Sequence, residues 1–366
     1  VDPNLVFLGT EHGLWLSIDK GNSWVQFQNG FPAVSTMDMT IQETESALII
    51  GTFGRAIWVL DDLLSLREIA GNRLENGITA LPMNDAVQVK GLFINPPGNI
   101  WTGFNTTFEG ENKVFQRTEI PFFVKGTDLL KVPVEASIYD ERGNLIKALK
   151  SSKGLVEGLN YITWQLDEQS LSAQGQRKGI PVLPGEYKIV LSHGGTSSET
   201  KVTVIEDPRF DLDPSVDKGL YEFRKEMDNE MSRMMKLFSD IDKRQEAVQK
   251  IKEQLFELRT NDKDRLLKAV ESITNDLSQL RAKGQTPRPN RQVGAWQSFE
   301  VSPFSKLMEV RRLAAARTTA ISDQNKAVLK DAVNLIDGFE KEVTLLLNDQ
   351  WKAFETLIRA NDFDWF

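Results

Sequence analysis

The chain has no cysteine and only two histidines, His12 and His193, in 366 residues. Without thiols there is no disulfide, no zinc-thiolate site and no cysteine nucleophile, although the compartment stays open because many periplasmic bacterial proteins also lack cysteine. The two histidines fall in different expected domains, which argues against a His-rich metal site or a histidine-based triad. Both read as turn residues, His12 in Glu11-His12-Gly13 and His193 beside Gly194-Gly195. Also missing is any apolar run near the ~18 residues of a membrane span. Charge of neither sign dominates: 44 basic and 52 acidic side chains give a net charge of -8, which disfavours nucleic acid and anionic membranes as partners. No signal peptide precedes Val1, and a start at Val is expected if a targeting segment lies upstream or has been removed.

What is present begins with Ser17-Ile18-Asp19-Lys20-Gly21-Asn22-Ser23-Trp24, which fits the Asp-box pattern S-x-D-x-G-x-x-W. The spacing suits a tight turn: the Asp19 carboxylate can accept backbone N-H groups, Gly21 supplies a positive φ, and Ser17 and Trp24 tie the turn to its blade. These residues, Ser17, Asp19, Gly21 and Trp24, are structural. The pattern marks a blade of a β-propeller, and a ring needs about four to eight blades. Residues 1–68 hold little more than one, so the chain is expected to be the C-terminal part of a longer protein.

Three textures divide the chain. Residues 1–68 alternate apolar and polar positions between Gly-rich turns, as in Leu14 to Ile18 and Leu48 to Gly51, and read as partial propeller blades. Residues 1–28 would finish one blade and 35–62 begin another that lacks its fourth strand, leaving sheet edges in need of cover. After a linker at 69–85, residues 86–206 again read as β, punctuated by Arg142-Gly143-Asn144, Pro184-Gly185 and His193-Gly194-Gly195. The order Tyr139 to Asn144, Gly158 to Trp164 and Leu183 to Tyr187 resembles immunoglobulin-like sandwiches of the flagellar-hook-capping type, with Trp164 as core aromatic.

After a second linker, 207–214, the period changes to that of helices in residues 215–366. Asp213-Pro214 caps a helix with one apolar stripe from Leu220 through Met227, Met231, Met234 and Ile241 to Leu258. A second stripe runs from Leu266 to Leu280 and closes at Lys283-Gly284; Ser302-Pro303 opens a short third helix, and Ser322 caps a fourth carrying Leu329, Ile336, Phe339, Val343, Leu346, Ala353 and Leu357. At 1.5 Å per residue the outer pair spans about 70 and 55 Å and the inner pair about 30 and 25 Å. An antiparallel helical bundle of two long and two short helices follows, in an up-down-up-down path that sets Met227, Met231 and Met234 opposite Trp351, Phe354 and Leu357. The long connection 284–301, with Trp296 and Phe299, is expected to fold over that pair. The fold class is therefore multidomain β plus α.

Few residues suit chemistry. Glycosidases need two carboxyl groups about 5 to 10 Å apart, but the adjacent Asp61 and Asp62 would point to opposite strand faces, so they read as strand end and helix cap. Asp207, Asp211, Asp213 and Asp217 lack the Gly turn and terminal Glu of an EF-hand, and read as Asp-Pro turns and caps. No catalytic residue, metal or cofactor is assigned. Candidate contacts for a ligand or partner are Arg55, Trp101, Phe104 and Trp296, with burial the competing role of the aromatics.

Asp2-Pro3-Asn4, Gly9 to Trp15, the Asp box, Gly54 to Asp62, Asn95-Pro96-Pro97, Pro184 to Tyr187 and Asp207-Pro208-Arg209, taken in order, resemble one family. It is the large bacterial BNR/Asp-box propeller proteins, related to the sortilin-type propeller and often labelled glycosyl hydrolases. The resemblance implies exported proteins, periplasmic, outer-membrane-associated or extracellular, whose propeller precedes an immunoglobulin-like domain and a helical bundle. Its partners would be upstream blades of the same protein and a cell-envelope protein or glycan. Fold does not give function. The expected role is non-catalytic binding or scaffolding; the alternative is an auxiliary region of a glycoside hydrolase with its active site in other blades. The catalytic set of Asp-box sialidases, an arginine cluster and a Tyr nucleophile, has only Arg55 as a counterpart in the propeller piece, since the first tyrosine is Tyr139.

Overall fold

A computed structural model describes residues 3–361 apart from 29–30, 45, 72–73, 75–76, 91–116, 127–130, 152–153, 171–178, 209, 212, 258–261, 286–300 and 316–318. The chain is a multidomain β plus α protein. It divides into two compact units, residues 1–169 with 181–211, and residues 170–180 with 212–366.

The first unit opens with two three-stranded antiparallel sheets in meander order: β1 (Val6–Thr10), β2 (Gly13–Ser17) and β3 (Val25–Gln26), then β4 (Thr36–Gln42), β5 (Ala47–Thr52) and β6 (Ile57–Leu60). Alternate residues of a strand face opposite sides. One parity, Leu14 of β2 with Leu48 and Ile50 of β5, joins Phe31, Val34, Leu63 and Leu66 in a shared core. The helix α1 (Leu63–Ala70) supplies the last two, and starts where the Asp62 carboxylate accepts the Ser65 N-H at 3.0 Å. The other parity carries Ile57 and Val59, 72% and 55% exposed.

Further along the same unit, a five-stranded sheet has the order β11 (Leu145–Lys150), β10 (Glu135–Tyr139), β13 (Gly185–His193), β14 (Thr196–Glu206), β8 (Ala86–Gln88), with β8 parallel to β14. A three-stranded sheet has the order β12 (Gly158–Trp164), β9 (Thr118–Lys125), β7 (Gly77–Ala80). Their inward residues form one core, including Ile120, Phe122, Ile138, Trp164, Ile189 and Val202. Trp164 is fully buried, meets Tyr187 edge to face with centroids 5.4 Å apart, and donates its Nε1-H to the Asp167 carbonyl at 2.9 Å. The span 69–85, read from the sequence as a linker, holds the end of α1 and all of β7. Four residues are too short to show a period, but Ile78 pairs with Val124 and is buried, which draws the strand into the sheet. His193 ends β13 with its ring buried, Nε2 3.0 Å from the Val132 carbonyl oxygen, so it is a core residue and not a surface turn.

The second unit holds α2 (Pro214–Glu257), α3 (Lys263–Gly284), α4 (Pro303–Leu313) and α5 (Asp323–Leu346), followed by a π turn (Leu347–Trp351) and α6 (Lys352–Arg359). Local chemistry sets the starts. Ser215 N-H bonds the Asp213 carboxylate at 2.8 Å, Ser302 and Ser305 form a reciprocal capping box, and Ser322 accepts from Asn325 N-H at 3.2 Å. Gly284 is required by space: a Cβ would lie 2.6 Å from ring carbons of Phe238 and Phe339.

Contacts along these helices give their directions. Asp242 pairs with Arg281, and Gln245 bonds Ser278, so α3 runs against α2. Phe238 meets Phe304 while Arg224 bonds the Ala314 carbonyl, so α4 also runs against α2. Arg233 pairs with Asp337 and Arg244 lies over Trp351, so α5 and its continuation run parallel to α2. This replaces the alternating four-leg path expected from the sequence. The two short helices follow one another down α2, because 22 and 11 residues laid end to end approach the length of its 44. Met227 therefore packs with Phe223, Val310 and Leu329 and not opposite Leu357. Met231 and Met234 flank Arg233, which pairs with Asp337 and Glu340, so they too lie level with the middle of α5 and not with Trp351, Phe354 and Leu357, although one continuous core includes them all.

Candidate functional site

The Asp-box segment forms the turn between β2 and β3. Ser17, buried at the end of β2, donates to Asp19 Oδ1 at 2.8 Å and accepts the Gly21 N-H at 2.8 Å. Asp19 Oδ1 accepts the Ser23 N-H at 2.8 Å, and Oδ2 accepts the Ser23 hydroxyl at 2.6 Å. Gly21 has φ +89°, a conformation that suits a residue without Cβ. Trp24 donates Nε1-H to the Gly21 carbonyl at 3.0 Å and leaves much of its ring exposed. Bonds from the Ser23 hydroxyl and amide, then from the Ser17 hydroxyl, hold the Asp19 carboxyl down to about 2. The polar side-chain atoms of Ser17, Asp19 and Trp24 thus bond within the turn.

A parallel device follows β5. In the turn Phe53-Gly54-Arg55-Ala56, Trp58 donates Nε1-H to the Arg55 carbonyl at 2.8 Å, the same three-residue return that Trp24 makes to Gly21. Phe53, 75% exposed, stands on this turn beside exposed Arg55, whose guanidinium has no hydrogen bond or ion pair among the described residues. Both turns lie after the middle strand of their sheets.

Asp62 does more than cap α1. While Oδ1 takes the Ser65 amide, Oδ2 accepts the Tyr161 hydroxyl at 3.1 Å, which joins β12 to the start of α1 within the first unit. Tyr161 is 45% exposed, and the partial burial of its hydroxyl end, then the Asp62 carboxylate, push its pKa up. Glu119 lies nearby, bound by Thr163 Oγ1 at 2.7 Å and Arg117 Nε at 3.1 Å. The sequence placed Asp62 at a helix start but carried no sign of Tyr161, which is 99 residues distant.

Of the other acidic candidates, Asp207 is buried and accepts the Lys90 N-H at 3.0 Å, and Asp213 caps α2. Among the described residues no group of three or more His, Asp or Glu is arranged to hold a metal, and no helix is long and apolar enough to cross a membrane. Trp101, Phe104 and Trp296 lie outside the described residues.

No protein-family model matches the chain, and no curated protein sequence matches it. Among solved structures, dimeric latent PorU from Porphyromonas gingivalis aligns at 14% identity over 53% of this chain and 13% of that chain, with a TM-score of 0.20. The match spans about an eighth of that chain's length, and so low a score carries no argument about fold or function.

Proposed function

We propose that the chain is a non-catalytic binding and scaffolding region of an exported bacterial Asp-box propeller protein. In this reading residues 1–68 are propeller blades, 86–206 an immunoglobulin-like sandwich, and 215–366 a helical bundle. One observation carries it. The sheet β4-β5-β6 buries Leu48 and Ile50 on one face, yet leaves Ile57 and Val59 exposed on the other. A sheet apolar on both faces needs cover on both, and a neighbouring blade of like construction supplies it. The Asp-box side chains are taken up by their own turn, and the Tyr161 hydroxyl ties β12 to Asp62 at the start of α1, which supports a scaffolding role.

A polypeptide extended by the upstream sequence of its gene tests the reading. Hydrogen exchange at Ile57 and Val59 should slow by about tenfold or more relative to the 366-residue chain. Equal exchange in both would overturn the blade assignment. Glycan turnover by the extended protein, lost when a carboxylate pair on the propeller is changed, would overturn the non-catalytic part.

A further inference from the structure

The buried stripe of α5 can be continued in two ways, one residue apart. Along α5 the buried positions from Leu329 to Leu346 step by three and four. An unbroken α-helix would continue that stripe through Gln350, Ala353, Leu357 and Ala360. The π turn adds one residue, and the buried positions are instead Trp351, Phe354 and Ile358. Gln350 and Ala353 are exposed, and Leu357 is partly buried. Both stripes can face a core, but the observed one is larger and aromatic. Trp351 packs on Phe354 with centroids 5.6 Å apart, and the Arg244 guanidinium of α2 lies 5.5 Å from the Trp351 ring centroid. Arg244 Nη1 bonds the Asp240 carbonyl at 2.7 Å, while its buried Nε has no hydrogen-bond partner among the described residues. The ring contact is thus a principal hold on that guanidinium.

We infer that α6 is a two-register element, in which the π turn Leu347–Trp351 holds Trp351, Phe354 and Ile358 inward and its closure to α-helix rotates α6 by about 100°, bringing Gln350, Ala353 and Leu357 in. The wider π turn has weaker hydrogen-bond geometry than α-helix, so the observed register persists through the burial it permits.

The absence of cysteine allows a single-thiol test in the full chain. In an Ala353→Cys variant the thiol should react at the rate of an exposed residue. Adding Trp351→Ala and Phe354→Ala should slow its labelling about tenfold while helical circular dichroism is retained. Unchanged labelling with helicity retained would overturn the inference. Should the triple variant fail to fold, deletion of Gln350 from the Ala353→Cys protein decides. Removing the additional residue should leave the thiol fast, Trp351 emission buried and the melting temperature at or above its starting value. A fall as large as that from deleting Asn334 inside α5 would overturn it.

Discussion

The two β regions of the first unit treat the same alternation differently. Among the described residues the core around Trp164 gathers 17 buried apolar side chains, whereas the core shared by β1 to β6 and α1 gathers seven. Exposed large apolar side chains run the other way, with nine in residues 3–60, from Leu8 to Val59, and four in residues 118–206. Two facing sheets can each present one apolar parity inward and one polar parity to water. The β4 to β6 sheet instead has Ile57 and Val59 on one side and Trp58 and Leu60 on the other, so a single core covers half of its apolar surface. Burial capacity, more than strand-forming tendency, separates the regions.

The sharpest way to break that contrast is Trp164→Ala. Loss of a fully buried indole and its bond to the Asp167 carbonyl should destabilise the unit by about 3–5 kcal/mol, read from the denaturant midpoint. Leu14→Ala, in the thinner core, should cost about 2–3 kcal/mol, since its neighbours have more room to close over the space. If the two costs prove equal, core depth is not what distinguishes the regions. Tyr161→Phe removes the hydroxyl that links β12 to Asp62 and should cost about 1 kcal/mol, with α1 still capped through Ser65. Paired Ile57→Ser and Val59→Ser changes should move the midpoint by less than about 0.5 kcal/mol if that face is open in this chain; a larger loss would show that it is covered.

The smallest effect concerns acid. Asp19 has its pKa lowered from 3.8 to about 2 by Ser23 and Ser17, so the folded state favours its ionised form. Its contribution is present above pH about 4 and is lost as pH falls through about 2. A carboxyl titration followed by NMR should find a midpoint near 2, and Ser23→Ala should move it up toward 3.8. A midpoint near 3.8 in the unaltered chain would mean that the turn is not closed in solution.

Much of the fold was legible because its causes are local. The Asp-box bonds join residues two to four apart, and the caps at Asp62, Ser302 and Ser322 each reach three residues ahead. Trp164 could be read as core because an indole amid alternating strand residues has little use elsewhere. The candidate site was less legible. Asp62 has a local signal, whereas its second partner comes from another strand, and the sequence has no periodicity that joins positions 62 and 161.

The amino-acid sequence by itself determined the Asp-box turn, the caps at Asp62, Ser302 and Ser322, the periods of the longer strands and helices, and the division into β and α parts, since each depends on neighbours within a turn or two. Only the tertiary structure decided that α4 follows α3 down the length of α2, that α5 runs parallel to α2, and that Tyr161 bonds Asp62. It also decided the phase of the last helix. Both Ala353 with Leu357 and Trp351 with Phe354 and Ile358 satisfy helical spacing, and local propensity does not choose between them. The core that Trp351, Phe354 and Ile358 join and the Arg244 guanidinium reward the larger surface, and the backbone takes up one additional residue in a π turn to provide it.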